Sequence, residues 1–600
     1  MRRFASTSAA AALEVTLPWG GGLRGRVVEP LTNAPPFQAF LGVPYAAPPV
    51  GKLRFLPPQP VEKWSGVRDA IEERDGCLQI DYYSKSVMGS EDCLYVNVYR
   101  PPGTEPHCRK PVVVVYSFGA WSLLNMSMNE IGPEFLVAKD IIVVTVPHRL
   151  LSFGFLSLNS PVAPGNMGLH DCIAALRWVN ENIASFGGDP ERVTVFGLCA
   201  GGLIGHTFQF LESTKNLFQQ NIFISGALSS APWYACAPGD VIRDKSLYLA
   251  RNLGCTSNND EEILTYLQSV PAADLFSKTW DCMYSCPPSD RVNPPLSPMI
   301  DADAYADRND ALWPAHPVKM VRSHTNRPVP TLFGFCRNDG WLNWGPTRMW
   351  EGIQANSSNL KDRYAMLERT LPDDLDLPYG SPEREEVLEE IRRFYFAGTK
   401  SPTLHQWYTY TGDLLARGFY DAFRQHSVHP GRPRSYLYCF SVEGRNNRTS
   451  RMFKCPPGIV AHMDDMGYIF GCRDKPPGPE PAWPSTSIEA LTRRRIVSLL
   501  SNFIKYGDPT PASEPDPEPE IHGLRWPALP PRSAAPYPCL DINTSLSIQH
   551  EVLGERVRFW EDMYDRYFTT GITERTRNPP SFTDQEALSR PESSSQVLSY

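Results

Sequence analysis

The sequence predicts an α/β fold built on a large central, mostly parallel sheet with helices on both faces. Three observations predict it. Pro111 to Tyr116 and Ile141 to Val146 are short, apolar and β-branched, as strands buried on both faces must be. Between later strands the apolar residues switch to a helical period: Ile173, Leu176, Val179, Ile183 and Phe186 fall on one face of Asp171 to Phe186. A further short strand, Arg192 to Phe196, runs into a glycine-rich turn and then a helical stretch, Gly202 to Leu211. Helices that alternate with buried strands imply parallel crossovers.

Further strands are expected at Pro330 to Phe335 and Ser435 to Phe440. Proline-rich stretches at Lys475 to Pro484 and Pro509 to Pro519 read as surface loops. No internal repeat is visible. Residues 1–12 read as a short leader, and the Ser/Thr/Pro-rich, polar stretch 569–600 as a disordered tail.

The composition, 42% hydrophobic and 21% charged, is that of a soluble globular protein. A net charge of -8, with no basic run beyond Arg493 to Arg495, excludes nucleic acid as a partner. Those three arginines read as one solvated helical turn. The longest apolar runs are strand length, far short of the ~18–20 residues of a membrane span. Met1 to Ala12 has two arginines and small residues but no apolar h-region, so no targeting signal is convincing. The reading leans to the cytoplasm over secretion.

The 14 cysteines are too sparse in 600 residues for a disulfide scaffold. Cys282 and Cys286 lack a matching His/Cys pair, so no zinc site is expected. No cofactor is called for. Sequons start at Asn125, Asn356, Asn447 and Asn543, about the number chance supplies, and do not fix the compartment.

The most informative segment is VTVFGLCAGG, residues 193–202. It is a strand, a sharp glycine turn and a helix start. It has the G-x-S-x-G form of a nucleophile elbow, with Cys199 where the serine stands. The glycines allow the reversal that lifts the central side chain above the sheet.

With FGGDP at 186–190 in front of it, this segment resembles the signature of the type-B carboxylesterases and cholinesterases, F-G-G-D-P-x-x-V-T-x-F-G-E-S-A-G-G. The Glu-Ser pair has become Leu198-Cys199. SEDCLYVN at 90–97, FGFLS at 153–157 and NMGLHD at 166–171 resemble further motifs of that family. The likeness runs from about Leu13 to Phe568. It implies one α/β-hydrolase domain over 13–568 where length alone would suggest about four domains.

The resemblance also implies partners for Cys199. GFCRNDG at 334–340 occupies the family's acid turn and puts Asp339 at the acid position. GIVAHMDDMGYIF at 458–470 occupies the base segment and makes His462 the base. Nucleophile, acid and base then follow in the chain order of this fold. Asp464 and Asp465 read as loop or cap residues.

VYSFGAW at 115–121 stands at the oxyanion loop, with backbone N–H donors expected from Gly119, Ala120 and Ala200. Phe118 replaces a glycine there. Ser225 matches a position that buttresses the triad. Phe118, Trp121, Trp233 and Trp341 are expected to line the pocket, although large aromatics serve core packing as readily. No tryptophan lies between Cys77 and Cys93, which disfavours a quaternary ammonium substrate. The family pattern implies a Cys77–Cys93 disulfide. Cys255 matches half of a second bridge whose partner position holds Tyr266.

Two readings of function stay open. In the first, a helix N-terminus and an adjacent imidazole favour the thiolate of Cys199, which hydrolyses small-molecule esters through a thioester. In the second, the changes at Ser117, Phe118, Leu198 and Cys199 leave a non-catalytic fold that binds an unknown protein partner.

Overall fold

The computed structural model describes residues 13–30, 32–81, 84, 86–117, 119–124, 126–230, 236–285, 296–305, 311–340, 367–368, 370–372, 375, 377–378, 380–397, 403–431, 433–472, 483–512, 519–530, 537–550 and 552–568. Both chain ends, assigned above to a leader and a tail, lie outside them. So does most of the two proline-rich stretches.

Valine-rich and aromatic runs form an 11-stranded sheet. In chain order its strands are β1 (Arg26–Val28), β2 (Phe37–Pro44), β3 (Tyr95–Arg100), β4 (Lys110–Tyr116), β5 (Ile142–Thr145), β6 (Gly188–Leu198), β7 (Gln220–Ile224), β8 (Thr331–Cys336), β9 (Ser435–Phe440), β10 (Pro538–Ile542) and β11 (Leu546–His550). Across the sheet they run β11-β10-β9-β8-β7-β6-β4-β5-β3-β2-β1. The block from β10 to β5 is parallel; only the flanks pair antiparallel.

Val112 to Tyr116 and Ile142 to Val144 are fully buried. Both faces of these central strands are covered, which is why their sequence is continuously apolar instead of alternating. Each such side chain contributes ~1.5–3 kcal/mol on leaving water.

The expected helix forms as α1 (Met167–Asn182) and closes in a 3-10 turn, Ile183–Phe186. Gly187 at φ 85 ends it. The strand read as Arg192 to Phe196 is longer, β6 reaching from Gly188 to Leu198, with a register shift near its start. α2 (Ala200–Phe208) follows it directly. A long helix, α3 (Leu404–Val428), crosses the sheet with a Thr403/Gln406 capping box at its start. Among the described residues no helix is long and apolar enough to cross a membrane.

Two expectations are corrected here. Arg493 to Arg495 are not a freely solvated turn: Arg493 lies 4.1 Å over the Phe135 ring, Arg494 pairs with Glu520 at 2.6 Å, and Arg495 donates to the Thr544 carbonyl at 2.9 Å. The Cys77–Cys93 bridge is not formed. Both are buried free thiols. Contact with Cys77, then burial, pushes the Cys93 thiol well up, and the Cys77 sulfur accepts the Leu150 N–H at 3.3 Å. Where only half of a second bridge was matched, Tyr266 donates its hydroxyl to the Leu253 carbonyl at 2.6 Å, beside buried Cys255.

Candidate active site

β6 delivers its last residue, Leu198, to the top of the sheet, and α2 starts two residues later. The link is Cys199, held at φ 53 and ψ -115. A non-glycine residue in such a region stores ~1–3 kcal/mol of strain, which neighbouring structure must hold. Here the Cys199 N–H donates to the Ile224 carbonyl at 2.8 Å, and its own carbonyl accepts from Gly202 at 2.9 Å. Gly201 is required by contact: a Cβ there would sit 2.0 Å from the Tyr116 carbonyl oxygen. Cys199 is 9% exposed, at the rim of the core.

β8 carries the acid in its C-terminal turn, and the loop after β9 carries the base. Asp339 and His462, 123 residues apart, meet with His462 Nδ1 and Asp339 Oδ1 at 3.0 Å. Ser225, just past β7, donates its hydroxyl to the same Oδ1 at 3.0 Å. Asp339 and His462 are each 4% exposed. Burial alone would lower the His462 pKa. The Cys199 and Asp339 side chains beside it outweigh burial and push the value up to about 10. Nε2, the nitrogen not bonded to Asp339, has no hydrogen-bond partner among the described residues. The elbow, acid and base predicted from sequence therefore converge on one place.

A model of the carboxylesterase family matches residues 11–560. The chain belongs to that family. It is 35% identical to the acetylcholinesterase of Bungarus fasciatus over 87% of this chain and 82% of that protein. It is 30% identical to the juvenile hormone esterase of Tribolium castaneum over 81% and 82%. A carboxylic ester hydrolase of Bombus ignitus is 34% identical over 60% of this chain and 62% of its own length.

The carboxylesterase fold puts the loop after β4 beside the elbow. Gly119, Ala120 and Trp121 have φ of 112, 47 and 67. At Gly119 a Cβ would lie 1.5 Å from the Leu123 carbonyl oxygen. Its own carbonyl takes the N–H groups of Ser122 and Leu123, both at 3.0 Å. The N–H groups of Gly119, Ala120 and Ala200 have no acceptor among the described residues.

Of the expected pocket residues, Phe118, Trp233 and Trp341 lie outside the described residues. Trp121 is 1% exposed and packs edge-on to Phe155 at 5.4 Å. Leu198 is fully buried, and the Ser117 hydroxyl is buried without a hydrogen-bond partner among the described residues. No cluster of three or more metal-ligating side chains occurs among the described residues.

The structure shows what the acids read as loop or cap residues do. Asp464 is buried below the base and accepts the Ala461 N–H at 2.6 Å and the Ser450 N–H at 2.9 Å, besides the Ser450 hydroxyl. Burial pushes its pKa up to about 6. Burial, opposed by the Tyr438 hydroxyl donated at 2.6 Å, and the charges of Asp339 and Asp464 push Asp465 up to about 7. Asn447, which opens one of the four sequons, is buried. Its amide donates to Val442 and Asp464 and accepts from Gly444 and Tyr468. Two adjacent acids after a histidine were the visible signal; which one holds the loop was not.

Proposed function

We propose that the protein hydrolyses carboxylic esters through Cys199, His462 and Asp339. The observation that carries this reading is the Asp339–His462 contact at 3.0 Å, with a raised imidazole pKa to which Cys199 contributes. A thiolate–imidazolium pair is a competent nucleophile. In this reading Cys199 attacks the acyl carbon, and the carbonyl electrons move to oxygen. The N–H groups of Gly119, Ala120 and Ala200 receive that oxyanion. His462 gives its proton to the departing alkoxide, leaving a thioester. It then takes a proton from water, whose oxygen attacks the thioester and releases the acid and the thiolate. Asp339, steadied by Ser225, keeps the imidazole in the tautomer this requires. The names of the three relatives support esters as the substrate class.

A binding role without turnover is the second reading. The replacement of the family's Glu-Ser by a fully buried Leu198 and Cys199 favours it. The test is purified protein with short aryl esters, alongside Cys199→Ala and Cys199→Ser. The hydrolase reading expects a burst and turnover in wild type that vanish in Cys199→Ala. No turnover in wild type, with Cys199 inert to iodoacetamide at neutral pH, defeats it. Turnover only in Cys199→Ser would assign the loss to the sulfur alone.

A further inference from the structure

The contact between Asp339 and His462 is a single hydrogen bond between two loops, and one bond is a pivot. A second joint sits one residue upstream of the acid. The Asn338 N–H donates to the Val460 carbonyl at 2.9 Å, and the Val460 N–H donates back to Asn338 Oδ1 at 3.1 Å. The pair closes a small ring and leaves Asn338 bridged to Ala461, the residue before the base. From the other side Asp464 takes the Ala461 N–H at 2.6 Å. His462 therefore leaves a backbone held from two directions, and the neighbouring Met463 sits at φ 60. Val460 is 2% exposed, so without the Asn338 oxygen its N–H would be buried and unpaired.

We propose that Asn338 is a positioning residue: it locks the acid loop to the base loop and so sets the reach of His462 toward Cys199. This rests on the triad reading above. The joint needs an acceptor at the length of an asparagine side chain. Aspartate keeps that acceptor; alanine removes it, and serine is too short to reach.

The experiment follows alkylation of Cys199 by iodoacetamide from pH 5 to 9, with peptide mapping of the label. Wild type is compared with Asn338→Ala, Asn338→Ser, Asn338→Asp and a remote control, Asn326→Ala. Asn326 is also a buried amide, bonded to Gln209 at 3.2 Å, and gauges general loss of stability. At pH 7 the expected rate falls at least about fivefold in the alanine and serine variants. It stays within about twofold of wild type in Asn338→Asp and Asn326→Ala. Where ester turnover is measurable, kcat falls about 10–100-fold with KM little changed, the usual cost of a misplaced catalytic group. Rates unchanged in the alanine and serine variants overturn the proposal, as does an aspartate variant as slow as alanine. Should Asn338→Ala fail to fold, Asn338→Ser decides. A wild type without ester turnover whose Cys199 still alkylates leaves the comparison to report on Asn338 independently of turnover; a wild-type Cys199 inert to iodoacetamide overturns both this proposal and the hydrolase reading.

Discussion

Ser225 and Asn338 act on the same carboxylate turn from different sides. Ser225 itself sits at φ 54, and its hydroxyl donates to Asp339 Oδ1. Ser225→Ala removes that bond and leaves Asp339 free to rotate about its contact with His462. A buried hydrogen bond to a charged group is worth ~1.5–3 kcal/mol, and each 1.36 kcal/mol is tenfold in rate. Steady-state kinetics on an aryl ester should show kcat down about tenfold or more, with KM nearly unchanged. A variant with wild-type kcat would mean that His462 alone orients the acid. Asp339, His462 and Cys199 were legible in the sequence because each stands in a motif with a fixed local form. Asn338 was not, because its partner Val460 arrives from a different crossover, and nothing near residue 338 announces it. The Cys77–Cys93 bridge failed for a related reason: spacing and motif bring two thiols together, but leave open whether they bond.

The elements depend on a buried ion pair that ties the start of α1 to the loop after β5. Arg149 grips Asp171 through Nε at 2.8 Å and Nη2 at 2.7 Å, and its backbone N–H adds a third bond at 3.1 Å. The remaining nitrogen, Nη1, donates to the Leu56 carbonyl at 2.9 Å. The side chains are 2% and 0% exposed. Breaking one side of such a pair strands a charge in the core, at a cost of ~3–5 kcal/mol. Asp171→Asn should therefore lose that much in urea denaturation. The double variant Asp171→Asn/Arg149→Met should recover part of it, since no bare charge is left. A single variant as stable as wild type would show the pair to be dispensable. Asp171 was read as the first residue of the helix, whereas α1 starts at Met167. Leu169, four residues before Ile173, already lies on the apolar stripe, and Met167 and Leu169 are buried. The first turn is helical because Asn166 is pinned to the Met299 carbonyl at 3.0 Å and to Asp301 at 2.8 Å, contacts made far along the chain. By contrast β9 matched its expected span, Ser435–Phe440, because all six side chains are buried and the apolar signal is unbroken.

At the scale of the whole molecule, two sets of buried groups give stability opposite dependences on pH. His206 on α2 and His426 on α3 lie ring to ring at 6.0 Å, and Phe333 of β8 stands edge-on to His426 at 5.4 Å. The rings join the two helices to the sheet. Burial, then the neighbouring imidazole, drives the His206 pKa well below its ordinary value, and burial with His429 takes His426 down to about 3. Their folded pKa values lie below the unfolded value of ~6.5. The unfolded chain therefore binds protons first, and their contribution, complete above ~6.5, is lost as pH falls from there toward 3. Asp464 and Asp465 work the other way. Their folded values, about 6 and about 7, exceed the unfolded carboxylate range, so their contribution is full below ~4 and is lost as pH rises through 6 and 7. From pH 4 to 6.5 the two sets oppose each other, and the wild-type slope alone cannot separate them. A difference between variants can. His426→Leu keeps the volume near the ring and removes one titrating group, while Ser435 retains its Pro433 carbonyl at 3.4 Å. Thermal unfolding at pH 7.5 and at pH 5.0 should show the variant losing less Tm than wild type on acidification. If both lose the same amount, His426 takes up its proton without penalty, and the ring pair is not what holds α2 and α3 to the sheet in acid.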